Sequence, residues 1–290
     1  MNKLVLFLRL VKFEHTIFAL PYAYLGMILA AYDHTRGLPT WWQVFWVTVA
    51  MVGARSAAMG LNRVIDRAID ARNPRTAQRE LPRGLLSTLE VWVFIIVSLV
   101  VLGVAAWKLN PLCLELFPVA VVILVVYSYT KRFTWMSHFV LGIADGLAPL
   151  GGWLAVSGQF DLPAVVLAAA VATWIAAFDI IYAFQDVDFD RENGLHSVPV
   201  RFGIRRGLWI SRGLDAVSVG LFLSLLIWVP LGWLYAVGIA MVALLLIYEH
   251  RLVSPEDMTH IEKAFFTVNS YVALVAFVFT AGDVLWHVFR

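Results

Sequence analysis

The stretch that decides the fold covers residues 88–129 and reads TLEVWVFIIVSLVVLGVAAWKLNPLCLELFPVAVVILVVYSY. Two apolar runs of near membrane-spanning length, 88–107 and 111–129, are separated only by a few residues around Asn110. A membrane helix needs about 20 apolar residues, and inside lipid only a helix or a closed barrel satisfies every backbone polar group. The stretch therefore predicts two membrane-spanning helices joined as a tight hairpin.

The composition of the whole chain also favours a lipid environment. Hydrophobic residues make up 61% of the 290 residues and charged residues 14%, whereas a typical soluble domain has about 25% charged residues. The mean hydropathy is +0.80. The net charge of +2 gives no indication of nucleic-acid binding. The single cysteine, Cys113, excludes an intramolecular disulfide and a cysteine metal cluster.

Similar apolar runs recur along the chain. They lie at about 13–32, 41–66, 88–107, 111–129, 136–157, 163–185, 208–228, 230–248 and 264–288. The first run follows Lys3, Arg9 and Lys12, as in a signal peptide, but it has near-spanning length and no small-residue cleavage pattern follows it. We therefore predict an all-α polytopic membrane protein: one domain over residues 1–290, with nine transmembrane helices and a second hairpin near Pro230.

The placement of Lys and Arg predicts the orientation. Seventeen of the 22 basic residues would lie on one side of the membrane, and three would lie on the other: Arg36, Lys108 and Arg290. Cytoplasmic loops of membrane proteins carry the excess of Lys and Arg. We therefore expect an integral protein of the cytoplasmic (inner) membrane with its N-terminus inside and its C-terminus outside. The long loops after the second and sixth helices would both be cytoplasmic.

Matching residues suggest an internal repeat. Two aspartates four residues apart close both the second and the sixth predicted helix, at an offset of 120 residues: Asp66 and Asp70, then Asp186 and Asp190. Tyr127 and Tyr248 match at an offset of 121 residues. Two four-helix halves, about 13–130 and 136–250, would produce this pattern and leave the ninth helix over.

The second and sixth helices carry polar residues that are unusual for a membrane span. Steps of seven, four and four residues place Arg55, Asn62, Asp66 and Asp70 on one helix stripe. Steps of three, four and four align Asp179, Tyr182, Asp186 and Asp190. Like charges one turn apart repel each other, and an aspartate costs about 2.5–3.5 kcal/mol at the bilayer centre. The carboxylates therefore require compensation.

A divalent cation with a diphosphate would supply that compensation. Mg²⁺ is bound through one or two carboxylates and fills its other positions with water and phosphate oxygens. Two carboxylate pairs facing each other across a cavity mouth therefore predict a diphosphate held through Mg²⁺. Solvated helix ends explain one pair, but they do not explain two pairs of equal spacing on one side. On this interpretation, Asp66→Ala and Asp186→Ala should both fold, because losing one carboxylate relieves repulsion.

Basic residues near the aspartates are candidate diphosphate ligands. Three of the four arginines that follow the first pair are such candidates: Arg72, Arg75 and Arg79. Lys131 ends the fourth helix four residues after Tyr127, so both side chains face one way. A lysine there can meet a leaving phosphate as a point charge, although the positive-inside rule alone also explains cytoplasmic basic residues. Arg132 is expected to face away, because a helix turns by about 100° per residue.

Together these motifs resemble those of the UbiA-type intramembrane prenyltransferase family. The pattern is, in order, Asn62-x3-Asp66-x3-Asp70, Arg75-x3-Arg79, Tyr127-x3-Lys131-Arg132 and Asp179-x2-Tyr182-x3-Asp186-x3-Asp190. It extends over essentially the whole chain and looks closest to the 4-hydroxybenzoate polyprenyltransferase-like branch. One position departs from the pattern, because many members carry Asp directly after the motif's Asn, where this chain has Arg63.

The resemblance implies a helical bundle around a central cavity and a role for each motif residue. The residues that would bind Mg²⁺ and the prenyl diphosphate are Asn62, Asp66, Asp70, Asp186 and Asp190. Arg79 and Lys131 would bind the diphosphate directly, and Arg55 and Tyr127 would belong to the cavity. The expected partners are a polyprenyl diphosphate, an aromatic acid and membrane lipid, with no nucleic acid and no obligatory protein partner.

A site of this kind would ionise the prenyl diphosphate and prenylate an aromatic ring. Lys131 and Arg79 would stabilise the departing diphosphate where its charge develops. Tyr127 and Tyr182 would face the allylic cation, each contact contributing about 0.5–2 kcal/mol. Asp179 is a candidate base for the ring proton, and a hydrogen-bonded carboxylate inside the bundle is the alternative.

The sequence does not identify the acceptor of the prenyl chain. Arg55 would pair with an acceptor carboxylate, or else neutralise Asp66 or Asp70. The first possibility favours an aromatic acid, 4-hydroxybenzoate or a dihydroxynaphthoate-type compound, in ubiquinone or menaquinone biosynthesis. Homogentisate and haem or lipid precursors are alternatives within the same enzyme class. Outside it, the alternative is a secondary transporter for an anionic substrate, but transporters place their sites at the membrane midplane on broken helices.

Overall fold

The computed structural model describes the backbone of residues 3–11 and 13–290, and the side chains of residues 3–11 and 20–290. All regular structure in this part of the chain is helical. The helices are α1 Lys3–Leu10, α2 Phe13–Thr35, α3 Trp41–Ile65, α4 Arg67–Asp70, α5 Thr88–Leu109, α6 Pro111–Thr130, α7 Ser137–Ser157, α8 Leu162–Tyr182, α9 Val187–Glu192, α10 Val198–Phe202, α11 Ile204–Ser224, α12 Trp233–Leu252 and α13 Asn269–Val288. Lys12, one of the basic residues used to predict the orientation, lies outside the described residues.

Eight helical segments within the described ranges are long and apolar enough to cross a membrane. They are α3, α5, α6, α7, α12, Leu162–Glu192 around α8, Ile204–Ile227 around α11, and Lys263–Val288, which joins a π-helical turn to α13. These segments coincide with the second to ninth predicted spans, so the all-helical membrane architecture is confirmed. Helix α2 occupies the predicted first span.

The predicted hairpin at Asn110 is present. Asn110 has an extended backbone, with φ −166° and ψ 168°, and it ends α5 and begins α6. Its side-chain oxygen accepts a hydrogen bond from the Cys113 N–H at 2.9 Å. Pro111 follows at the first helical position, where its missing N–H has no partner to lose. The sequence thus specifies both the end of one helix and the start of the next.

Helices α2 and α7 approach each other through two glycines. A Cβ built on Gly26 would lie 2.0 Å from the Pro149 carbonyl oxygen, and one on Gly152 would lie 2.1 Å from the Ala23 carbonyl oxygen. Small residues let membrane helices pack backbone to backbone, where dispersion contacts replace the hydrophobic effect. This contact fixes one wall of the interior.

Both aspartate pairs lie where a spanning helix breaks at its end. Helix α3 ends at Ile65, and Asp66, with φ −91° and ψ 2°, links it to the short α4. Helix α8 ends at Tyr182 and continues as the 3₁₀ turn Ala183–Asp186. The backbone N–H groups of Asp66 and Asp70 still bond the carbonyls four residues earlier, so the first stripe continues to Asp70. In the second stripe, the 3₁₀ turn has 3.0 residues per turn and rotates the side chains that follow it.

Candidate active site

The central cavity implied by the resemblance is present. It has a volume of about 540 Å³ and lies among α2, α3, α5, α6, α7, α8 and α13. Pockets for small ligands span about 300–1,000 Å³. Most of the lining is apolar, and its polar side chains include Arg55, Asn62, Arg63, Arg79, Tyr127, Asp145, Asp179, Tyr182, Asn269 and Ser270. Such a cavity suits an apolar chain together with a ligand that carries few charged groups.

Asp66 lies at one end of the cavity and is bound by two cations. Its carboxylate is 1% exposed. Lys131 Nζ lies 2.6 Å from Oδ2, and Arg132 Nη2 lies 2.9 Å from Oδ1. Asn62, which lines the cavity, donates its amide N–H to Asp66 Oδ2 at 3.0 Å. Lys131 and Asn62 therefore lie together where the sequence predicted them.

The prediction that Arg132 faces away is wrong. Besides Asp66, its guanidinium donates to the carbonyl oxygens of Ile65 and Ser128, each at 2.8 Å. The rotation of about 100° per residue holds only inside a helix. Helix α6 ends at Thr130, and Arg132 already lies in the turn beyond it. Neighbouring residues past a helix end can therefore bind the same carboxylate.

Asp70 is held by one arginine. Arg79 Nη1 lies 2.8 Å from each of its carboxylate oxygens. Asp70 is buried, with 4% of its surface exposed, whereas Arg79 reaches the cavity lining. Arg79 thus connects the first aspartate pair to the interior, as a diphosphate ligand would require.

Asp186 joins the second aspartate pair to the loop that follows the first. Arg75 Nε donates to Asp186 Oδ1 at 3.0 Å, Arg75 Nη2 forms an ion pair with Oδ2, and Arg75 Nη1 donates to the Tyr182 hydroxyl at 2.9 Å. Burial lowers the pKa of Arg75, but its hydrogen bond to Asp186 and nearby negative charge raise it above the ordinary value. Asn73, which the sequence argument missed, donates to Asp186 Oδ1 at 2.9 Å. Its own oxygen accepts the Arg75 N–H.

Two predicted site residues take no part in these contacts. Asp190 makes no side-chain hydrogen bond or ion pair with any residue that the structure describes. Arg72 is exposed and donates to the Ala68 carbonyl at 3.3 Å. The structure therefore gives no support for Arg72 as a diphosphate ligand, because its position in the same loop does not turn its side chain towards the aspartates.

The end of the cavity that holds the four aspartates, called the mouth below, has side chains whose chemistry fits Mg²⁺. Carboxylate and amide oxygens are the hard ligands that Mg²⁺ prefers, and this end of the bundle supplies four carboxylates and the Asn62 amide. Within the described residues, however, no three His, Cys, Asp or Glu side chains are grouped so as to hold an ion. Lys131, Arg132, Arg79 and Arg75 instead neutralise three of the four aspartates. A metal with its diphosphate would replace these contacts.

Asp179 lies at the cavity wall and is held by a histidine that the sequence argument missed. His138 is 3% exposed, and its Nδ1 lies 2.6 Å from Asp179 Oδ2. Its Nε2 accepts the Val198 N–H at 3.3 Å. Because a backbone N–H can only donate, Nε2 is unprotonated and Nδ1 carries the proton towards Asp179. The carboxylate is therefore held in position with one oxygen left for another partner.

Two further predicted cavity residues are placed as expected. Arg55 and Tyr127 both line the cavity. Arg55 forms no ion pair with Asp66 or Asp70, whose carboxylates are bound instead by Lys131, Arg132 and Arg79. These contacts do not support the alternative in which Arg55 neutralises a motif aspartate. The Tyr182 ring stacks on Phe265 with centroids 4.0 Å apart and has Arg75 at 5.1 Å, so Tyr182 orients Arg75 in this arrangement.

Comparison with known proteins gives a family and several relatives for this chain. The model of the UbiA prenyltransferase family matches residues 19–271. The chain is 31% identical over 250 residues to the 4-hydroxybenzoate octaprenyltransferase of Aliivibrio fischeri (strain MJ11), covering 86% of each protein. It is 33% identical to a solved UbiA homologue from Aeropyrum pernix K1, with a TM-score of 0.83 and coverage of 93% of this chain and 98% of that one.

A more distant solved structure shares the fold. It is a UbiA homologue from Archaeoglobus fulgidus bound to GPP and Mg²⁺, 20% identical, with a TM-score of 0.67 and coverage of 95% of this chain and 99% of that one. At this identity the likeness concerns the fold alone. The family match covers most of the chain and includes both aspartate pairs. The chain belongs to the UbiA prenyltransferase family and is an integral membrane prenyltransferase.

Proposed function

We propose that this prenyltransferase moves a polyprenyl chain from its diphosphate to an aromatic acid, with Mg²⁺ as cofactor. The observation that supports the proposal is a group of aspartates, paired with basic side chains, at one end of an apolar cavity. The same cavity is lined by Arg55. The favoured acceptor is 4-hydroxybenzoate, which the name of the Aliivibrio relative contains. A dihydroxynaphthoate-type acid is the second candidate, and the corresponding pathways are ubiquinone and menaquinone biosynthesis.

The diphosphate would lie where the two aspartate pairs meet. Asp66, Asp70, Asp186 and Asp190, with Asn62, would hold Mg²⁺, which when bound neutralises charge on the diphosphate oxygens. Lys131 and Arg79 would leave their aspartates and donate to the diphosphate, so their charge is already in place when the carbon–oxygen bond breaks. Arg75 and Arg132 would remain near the mouth as further cations.

The acceptor ring would lie deeper in the cavity. Arg55 would pair with its carboxylate, because this guanidinium lines the cavity and its Nε has no partner. The prenyl carbon would lose the diphosphate with its electron pair and form a bond to a ring carbon, with Tyr127 beside the cationic chain. The ring carbon would then release its proton to Asp179, whose carboxylate His138 keeps in place.

The proposal predicts a requirement for the acceptor carboxylate. Purified protein with a labelled polyprenyl diphosphate and Mg²⁺ should prenylate 4-hydroxybenzoate or a dihydroxynaphthoate and should discriminate against 4-hydroxybenzamide, which leaves Arg55 without an anion. A buried charged hydrogen bond contributes about 1.5–3 kcal/mol, or about 10- to 100-fold in kcat/KM. Product analysis by chromatography measures the ratio. Equal use of acid and amide would contradict the role given to Arg55.

The same proposal includes the placement in the membrane. We propose nine spanning helices in the cytoplasmic (inner) membrane, N-terminus and aspartate mouth inside, built as two halves of about 13–130 and 136–250 plus α13. The supporting observation is the basic loops around Arg83 and Arg201, both exposed at the aspartate end of the bundle. Few basic residues lie at the opposite end.

Labelling of single cysteines tests this orientation. In a Cys113→Ala background, a membrane-impermeant thiol reagent should label Arg290→Cys in intact cells and should label Arg83→Cys and Arg201→Cys only after the membrane is opened. All three positions are exposed on the protein, so access to each depends on the side of the membrane alone. Labelling of positions 83 and 201 in intact cells would reverse the orientation.

A further inference from the structure

Arg63 differs from the other basic residues near the mouth in having no partner. It is 5% exposed and lines the cavity. Its Nε is buried without a hydrogen bond, and its guanidinium forms no ion pair or side-chain hydrogen bond with any residue in the described ranges. By contrast, the four other cations near the mouth each bind an aspartate: Arg75, Arg79, Lys131 and Arg132.

The charges around Arg63 do not supply the missing partner. Asp70 and Glu80 act on its charge from a distance, and Arg79 opposes them. Both oxygens of Asp70 are already bound by Arg79. A guanidinium buried in a membrane-embedded bundle has lost its hydration, so leaving it unpaired is unfavourable. A buried guanidinium without a partner, facing a cavity, is the arrangement expected of an anion-binding residue without its anion.

The position of Arg63 identifies the anion. It directly follows Asn62, which bonds Asp66, and it lines the same cavity as Arg79, which bonds Asp70. Arg63 therefore lines the same cavity as the two residues that bond Asp66 and Asp70. Arg55 is eight residues, about 12 Å along the helix, further in. The planar fork of a guanidinium matches phosphate oxygens, so the diphosphate is the anion that reaches Arg63.

We propose that Arg63 is a diphosphate-binding residue that engages the prenyl diphosphate independently of Mg²⁺, before the ion pairs of the mouth open. The proposal rests on the proposed function and adds a step to it. Every other mouth cation must first leave an aspartate, and each such exchange breaks an existing contact. Arg63 has no contact to break, so it binds the diphosphate first. It thereby orients the prenyl diphosphate for binding at the aspartates.

The test is binding of a non-cleavable prenyl thiodiphosphate to the purified protein in EDTA, measured by calorimetry. Wild-type protein should bind it measurably, and Arg63→Gln should weaken binding by about 10- to 100-fold, the effect of losing one charge-assisted hydrogen bond. Arg63→Lys should fall between them, because it keeps the charge and loses the fork. Arg83→Gln, an exposed arginine of the same loop region, is the matched control and should bind as wild type does.

Thermal unfolding without ligand separates this role from a structural one. Removing a buried charge that has no partner should leave the melting temperature of Arg63→Gln unchanged or raise it, whereas removing a structural arginine would lower it. Wild-type affinity of Arg63→Gln in EDTA, or a lowered melting temperature with Arg63→Lys as weak as Arg63→Gln, would overturn the proposal. If wild-type protein transfers the prenyl chain with Mg²⁺ but does not bind the thiodiphosphate in EDTA, the proposal for Arg63 fails and the proposed function stands. If it neither binds the thiodiphosphate nor transfers a prenyl chain, the proposal for Arg63 and the proposed function both fail.

Discussion

Asp186→Asn is expected to reduce prenyl transfer by about 10³-fold or more, because Asp186 is proposed to hold the metal, whose charge stabilisation is worth several kcal/mol. Asp186 receives hydrogen bonds from Arg75 and Asn73 in the resting protein. Asparagine has nearly the same shape and keeps one oxygen for these donors, so the fold should survive. Steady-state kinetics at limiting and saturating Mg²⁺ measure the loss.

The matched control for Asp186→Asn is Asp188→Asn. Asp188 lies two residues further along the chain, in α9; its side chain is 93% exposed and pairs with Arg191 at 3.5 Å. It should keep wild-type kinetics. Near-normal turnover of Asp186→Asn at limiting Mg²⁺ would show that the second aspartate pair does not bind the metal.

The structure changes what alanine variants can show. From the sequence, Asp66→Ala was expected to relieve repulsion between like charges. Asp66 is instead the shared acceptor of Lys131 and Arg132, so its removal leaves two cations facing each other without an anion. Breaking a buried ion pair from one side is destabilising. An Asp66→Ala variant therefore tests folding and catalysis together, and Asp66→Asn is the cleaner substitution.

Lys131→Gln is expected to lower kcat by about 10²–10³-fold, the usual effect of losing one preorganised contact to a developing negative charge. The affinity for prenyl diphosphate should fall less, because the aspartates and the arginines still hold the ground state. Single-turnover kinetics with a labelled prenyl diphosphate separate the two quantities.

The control for Lys131 must be a basic residue at a helix end away from the aspartates. Arg132 cannot serve, because it also binds Asp66. Arg251, exposed in the last turn of α12, has the position of a membrane-surface anchor without a contact to the site. Arg251→Gln should leave kcat unchanged. Equally small effects of Lys131→Gln and Arg251→Gln on kcat would show that Lys131, too, is only a membrane-surface anchor.

Most of the fold could be predicted from the sequence because lipid allows few alternatives. An apolar run of about 20 residues must become a helix, so eight spans were placed to within a few residues. The hairpin at Asn110 was also predictable, since capping and proline chemistry are local. The helix ends at Ile65 and Tyr182 were not, because neither a proline nor a glycine directly follows them in the sequence.

The candidate site was predictable where charge stands out against an apolar background. The aspartates, Asn62, Arg79 and Lys131 could be found in this way. Residues that act across the fold were not predictable: His138 reaches Asp179 from another helix, and Asn73 reaches Asp186 from a loop.

The prediction for Arg132 failed because helical geometry was extended past the end of α6. Arg72 donates to the Ala68 carbonyl in this structure, and its role as a diphosphate ligand stays a prediction. Contacts made by loops depend on where each turn points, and this information is not contained in residue spacing.

The central claim is that the aspartate mouth and the cavity form one Mg²⁺-dependent prenyl transfer site. The most direct measurement follows diphosphate release and prenylated aromatic product together, in one reaction of purified protein with a polyprenyl diphosphate and 4-hydroxybenzoate. With Mg²⁺ the two should appear in equal amounts, and with EDTA neither should appear. Diphosphate released without aromatic product, from 4-hydroxybenzoate or from a dihydroxynaphthoate tested in its place, or product formed equally well in EDTA, would contradict the account.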